Sequence, residues 1–160
     1  ILTKTKKTHF SQNYTRGGIV LPLIFIYQKN MYTLQQKNTV VKMGEWLGSM
    51  PWDTFSTITY RYDVKEKQNY NIMKGLEEYL KSLNKPFNMF WVTEFTNYNY
   101  NTHNHLLLKG DVVDSINYHL RSKSLIADHV KHYQYEEGAN MYVAKYICDE
   151  NINYEMIKNS

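Results

Sequence analysis

Two periodicities alternate along this chain. Apolar side chains that recur at every second position predict strands, and those that recur at three and four predict helices. "DTFSTITYRYDV" (53–64) is rich in Thr, Tyr and Ile. It sets Phe55, Thr57 and Thr59 on one side and Ile58, Tyr60 and Tyr62 on the other, a strand pattern. "YNIMKGLEEYLKSLNKP" (70–86) lines up Ile72, Leu76, Tyr79, Leu80 and Leu83 as one helical stripe, and Asn84 and Pro86 stop it. "FNMFWVTEF" (87–95) predicts a strand, "TNYNYNT" (96–102) a turn-rich loop, and "HNHLLLKG" (103–110) the returning strand. After these come a short helix in "VVDSINYHL" (112–120), a strand in "HVKHYQYE" (129–136) and a last helix in "GANMYVAKYICDE" (138–150).

Near the start, "GGIVLPLIFIYQ" (17–28) and "NMYTLQQ" (30–36) read as a strand pair turning at Lys29 and Asn30, behind a loose basic arm over 1–18. The organisation expected is an N-terminal arm with extra strands over 1–50, a core over 51–150 and a polar tail over 151–160. Because 87–110 forms a hairpin, the sheet cannot be purely parallel. An α+β fold follows, with a mostly antiparallel sheet packed by helices.

Composition changes this picture little. The 160 residues are 42% hydrophobic, enough for one domain with a real core. A net charge of +4 permits a polyanionic partner without demanding one. The 15 tyrosines and the many asparagines fit either an AT-rich coding genome or an aromatic surface for unpaired bases. The single cysteine, Cys148, excludes an internal disulfide and suits a reducing compartment. The longest apolar run, "IVLPLIFIY" (19–27), is about half a membrane span and holds Pro22, so no membrane segment is expected, nor a signal or transit peptide. The opening on Ile1 and the polar "KNS" end fit a piece of a longer protein.

The candidate chemistry begins with His103 and His105. On a strand they share a face, as a metal pair or by coincidence. Glu94 joins them only if the hairpin register sets it opposite His103 or His105, and a slip of one residue would send it to the other face. A carboxylate and two imidazoles with open positions make a catalytic site for Mn²⁺ or Mg²⁺, and Zn²⁺ or Co²⁺ would also fit. In "YVAKY", Tyr142 and Tyr146 are one helical turn apart with Lys145 beside them. Tyrosines so spaced flank a core in many helices, but a phenol is also a workable nucleophile toward phosphorus, with Lys145 to stabilise the developing charge.

The strand "FSTITY", then Glu94 with "HNHLLL", then "YVAKY", in this order and spacing, resembles the HUH endonucleases. The resemblance is strongest to the rolling-circle replication initiators of small single-stranded-DNA phages, plasmids and circular viruses. It covers about residues 53–149, and Asn104 departs from it by standing where that family has a hydrophobic residue. The resemblance implies a ferredoxin-like or RNA-recognition-like core of about five strands, with Glu94, His103 and His105 as metal ligands beneath the tyrosine helix. It further implies metal-dependent nicking and rejoining of single-stranded DNA at an origin, in some cases a hairpin, through a 5′-phosphotyrosine. Tyr142 is then the first nucleophile, and Tyr146 either a second one or a packing residue.

Arg61, Lys109, Arg121, Lys123, Lys131 and His132 are candidate phosphate contacts, and Tyr98 and Tyr100 candidate stacking residues. The site of action expected is a bacterial or archaeal cytoplasm, or the nucleus for a eukaryotic virus. A host or attached helicase would be a natural partner, since this chain has no "GK[ST]" phosphate loop of its own. Rival readings are a single-tyrosine HUH transposase and a non-catalytic single-stranded-nucleic-acid-binding module.

Overall fold

The computed structural model describes residues 32–95, 102–128, 130–149 and 152–159. Its elements in chain order are α1 (Leu34–Gly48), β1 (Thr54–Thr59), α2 (Glu66–Ser82), β2 (Phe87–Phe95), β3 (Thr102–Lys109), α3 (Val113–Ser122), β4 (Lys131–Gln134), α4 (Ala139–Ala144) and β5 (Tyr154–Asn159). The strands form one five-stranded sheet in the order β4-β1-β3-β2-β5, and every neighbouring pair is antiparallel. The fold is α+β, with helices on both faces of the sheet.

Alternation in the strands creates two cores. On one face Ile58, Met89, Trp91, Leu106 and Leu108 pack against Met73, Leu76 and Leu80 of α2 and Ile116 and Leu120 of α3. On the other, Phe90, Val92 and Leu107 pack against Val40 and Leu47 of α1 and Val143 and Ala144 of α4. The apolar "LLL" run, residues 106–108, is therefore buried on both sides, as a strand between two helix layers must be. No helix among the described residues is long and apolar enough to cross a membrane.

Two regions differ from the sequence reading. Leu34–Gln36, expected in a strand, opens α1 instead. Thr33 caps that helix with a capping box, its side chain taking the Gln36 amide while the Gln36 side chain takes its own. The basic arm and the apolar run over 19–27 lie outside the described residues. The expected polar tail contains β5, which pairs with β2 from Phe87↔Asn159 to Val92↔Tyr154. As an edge strand it buries only Ile157 fully, so its sequence keeps a polar look. Elsewhere the helix over 66–82 stops where Asn84 takes a positive φ of 52°.

Candidate active site

The site is built on the face that carries α4. β2 and β3 pair with Glu94 directly opposite His103 and Val92 opposite His105. Of the two registers the sequence left open, this is the one with eight residues, 95–102, between the opposed positions. β1 flanks β3 on its other side with Thr59 opposite His103 and Thr57 opposite His105. The Thr57 hydroxyl lies 3.1 Å from Nδ1 of His105, and the Thr59 hydroxyl 3.0 Å from Nδ1 of His103. Each imidazole is thus oriented through Nδ1. The Nε2 of His105 meets Oε2 of Glu94 at 2.8 Å.

α4 covers this row. It starts at Gly138, whose φ of 104° turns the chain into the helix. Regular helix ends at Ala144, and Lys145 to Cys148 continue as turns, so Tyr146 stands just past the helix that the sequence predicted to contain it. The geometry keeps both phenols over the strands. The Tyr142 and Tyr146 hydroxyls lie 3.2 Å apart. The His105 ring meets Tyr142 edge-on at 5.1 Å and stacks on Tyr146 at 5.3 Å. Lys145 Nζ sits 3.8 Å from the Tyr142 ring centre and 4.6 Å from that of Tyr146, cation–π geometry.

Burial decides the electrostatics. Tyr146 is 3% exposed, and desolvation drives its phenol pKa far above the ordinary value, with Tyr142 and Glu94 adding to the rise. Burial alone would raise Glu94. Its hydrogen bond to His105 and that ring's charge, the Tyr146 hydrogen bond and the Lys145 charge instead hold it below the usual carboxylate range. Burial lowers His103, and although Glu94 opposes this, His105 and Lys131 reinforce it. The expected state near neutrality is an ionised carboxylate beside a neutral His103.

A neutral imidazole and an ionised carboxylate are the protonation states that divalent-metal ligands require, and imidazoles held through Nδ1 leave Nε2 to coordinate. The donor set therefore fits such an ion. Its atoms are not gathered around one point: among the described residues no three His, Cys, Asp or Glu side chains are grouped to hold a metal, and Glu94 closes directly on His105.

Behind this row, on the α2 side, lies a buried polar cluster. Asn104, between the two histidines, points away from them. Its Nδ2 donates to the Tyr60 hydroxyl at 2.9 Å and to Asn69 Oδ1 at 2.7 Å. Asn69 donates to Thr93 Oγ1 at 2.8 Å and to Asn104 Oδ1 at 3.2 Å, and accepts from Tyr60 at 2.8 Å. Thr93 donates to Asn104 Oδ1 at 3.0 Å. Asn69, Thr93 and Asn104 are closed to solvent, and Tyr60 is 6% exposed.

The candidate DNA contacts scatter. Lys131 stands on the site face opposite Thr57. His132 points the other way, with Nδ1 2.6 Å from Ser56 Oγ and Nε2 3.1 Å from Asn117 Nδ2, a structural pin between β4 and α3. Arg121 and Lys123 sit at the end of α3, on the layer opposite the site, and the structure does not bring them to it. Lys109 is at the far end of β3, ion-paired with Asp53 at 2.7 Å. Arg61 is exposed in the turn after β1, its amide bonded to Leu125 O at 2.9 Å. Tyr98 and Tyr100 lie outside the described residues.

Sequence reasoning missed Thr57 and Thr59 as partners of the histidines. Their shared face with Phe55 was legible, but the pairing of β1 with β3 was not. It also missed the support for α4. Asn140 Nδ2 donates to Gly44 O at 2.7 Å, and Tyr32 bonds Lys145 O at 2.9 Å and the Asp149 carboxylate. α1 approaches α4 so closely that a Cβ on Gly44 would fall 2.0 Å from Met141 Sδ.

Among known families, residues 53–151, more than half of the chain, match the family model described as replication-associated protein of the ORF2 type. No curated protein matches the chain, and no solved structure does.

Proposed function

Because the chain belongs to this ORF2-type family of replication-associated proteins, we propose that it initiates rolling-circle replication by nicking and rejoining single-stranded DNA through a phosphotyrosine. One observation carries this reading: two phenols 3.2 Å apart lie against His105, which is bonded to Glu94, with a lysine over both rings. Tyr142 is the attacking residue. It is only partly buried, whereas Tyr146 is almost fully enclosed and its phenol resists ionisation.

The Tyr142 oxygen bonds to phosphorus, the bond to the 3′ oxygen breaks, and the phenol proton leaves to water. The departing oxygen takes up a proton and becomes the 3′ hydroxyl that primes synthesis. The ester conserves the bond energy, so the reverse attack rejoins the strand without a cofactor. Lys145 neutralises charge that builds on the phosphoryl oxygens. Glu94, His103 and His105 would hold Mn²⁺ or Mg²⁺, which supplies further positive charge to the phosphate when bound. Tyr146 packs on His105 and keeps its ring in place.

The test is incubation with labelled single-stranded DNA and Mn²⁺, followed by denaturing electrophoresis. The wild type and Tyr146→Phe should give a detergent-resistant adduct, and Tyr142→Phe should give none. A normal adduct yield from Tyr142→Phe overturns the assignment of the nucleophile. Reversible binding without any adduct from the wild type makes the chain a binding module.

A further inference from the structure

β4 is an edge of the sheet, and its pairing with β1 sets Lys131 opposite Thr57 and Tyr133 opposite Phe55. Both side chains therefore project from the face that carries the histidines. Tyr133 stacks on Phe55 with centroids 6.3 Å apart and planes 27° apart. Phe55 stacks on His105 at 5.9 Å and 13°, and His105 on Tyr146 at 5.3 Å and 17°. The result is a ladder of four rings that runs from the tyrosine helix to the edge of the sheet. Its last ring, Tyr133, is 51% exposed. A cross-strand aromatic pair stabilises a sheet without any ligand, but this pair ends an aromatic path that begins at the site and opens to water. Tyr118, still more exposed, lies on α3 beneath the opposite face and joins no such path.

From this ladder we infer that Tyr133 and Lys131 form a nucleotide subsite beside the tyrosine helix, Tyr133 stacking on an unpaired base and Lys131 meeting its phosphate. The inference rests on the nicking reading given above. Two positions along a strand span roughly 6–7 Å, a distance that one nucleotide bridges between its base and its backbone. Stacking on a lone ring requires a base free of its partner, so single-stranded nucleic acid is the occupant. The recognition is tolerant of sequence, because every base offers a π face.

The experiment measures fluorescence anisotropy with a labelled 15-mer of oligo(dT) and with an abasic 15-mer of the same length. Tyr133→Thr, which keeps a strand-forming side chain, should weaken oligo(dT) binding about 5- to 150-fold, the range for loss of one stacked base, and leave abasic binding unchanged. Tyr133→Trp should restore the preference for bases, and its melting temperature separates a lost contact from a damaged edge strand. Lys131→Met should weaken both ligands and lower the salt slope by about one. Equal binding of oligo(dT) by wild type and Tyr133→Thr overturns the subsite, even where the wild type forms its adduct. Base binding that depends on Tyr133 without any adduct supports the subsite and overturns nicking instead.

Discussion

Replacing Asn69 with Leu tests the buried polar cluster directly behind the candidate site. The substitution keeps a side chain of comparable shape but strands two donors: the Tyr60 hydroxyl hydrogen and one amide hydrogen of Asn104, both of which end on Asn69 Oδ1. Water cannot replace it there, since Asn69 and Asn104 are closed to solvent. At about 1–3 kcal/mol for each orphaned buried group, Asn69→Leu should cost about 2–5 kcal/mol. That is a large part of the roughly 5–15 kcal/mol that holds a domain folded. Asn104→Val strands a different pair, the Thr93 hydroxyl hydrogen and one amide hydrogen of Asn69, and should cost about the same. The double variant removes both amides, leaving only the Tyr60 and Thr93 hydroxyls without acceptors. It should therefore cost about as much as either single variant, not their sum. Urea unfolding followed by tryptophan fluorescence measures all three. Additive costs would refute the network as a unit and reduce it to unrelated polar contacts.

Other outcomes follow from the same geometry. Gly44→Val should displace Met141 and the tyrosine helix, costing about 1–3 kcal/mol by overpacking; a thermal melt checks the stability, and the adduct yield should fall with it. Burial, chiefly, holds His103 and His119 below the ordinary imidazole value, aided at His119 by Lys123. Their contribution to stability is full above the unfolded value of 6.5 and is lost as pH falls through the lower folded values. The urea midpoint should therefore drop between pH 7.5 and 5.5, and His119→Phe should flatten part of that drop. Chelation of divalent ions should stop adduct formation, and Mn²⁺ or Mg²⁺ should restore it; full activity after chelation would remove Glu94, His103 and His105 from the role of ligands.

Much of the site was legible because strands announce their faces. Alternation placed His103 with His105, and Phe55 with Thr57 and Thr59, before any pairing was known. The opposition of Glu94 to His103 was one of two registers that the hairpin allowed, and β1, packed against β3, was invisible in local sequence. α1 escapes a local reading because Tyr32 and Thr33 favour extended backbone, while Gly44 and Gly48 weaken a helix signal. Those glycines make sense only once α4 lies against them. β5 escapes it for the opposite reason: an edge strand with one fully buried residue looks like a polar end. Asn104 reads as a harmless departure from a hydrophobic position. Its partners Asn69 and Tyr60 come from α2 and the end of β1, so only tertiary structure gathers them.

The stretch that matches the family ends where the folding unit does not. α1 and β5 both fall outside residues 53–151, yet one braces the six-residue α4 and the other zips onto the strand that bears Glu94. So short a helix has little stability of its own. A polypeptide trimmed to the matching stretch would keep every residue assigned to chemistry and lose the scaffolding that aims them. Anyone preparing a minimal fragment of this chain for activity assays should begin upstream of Tyr32 and run past Asn159.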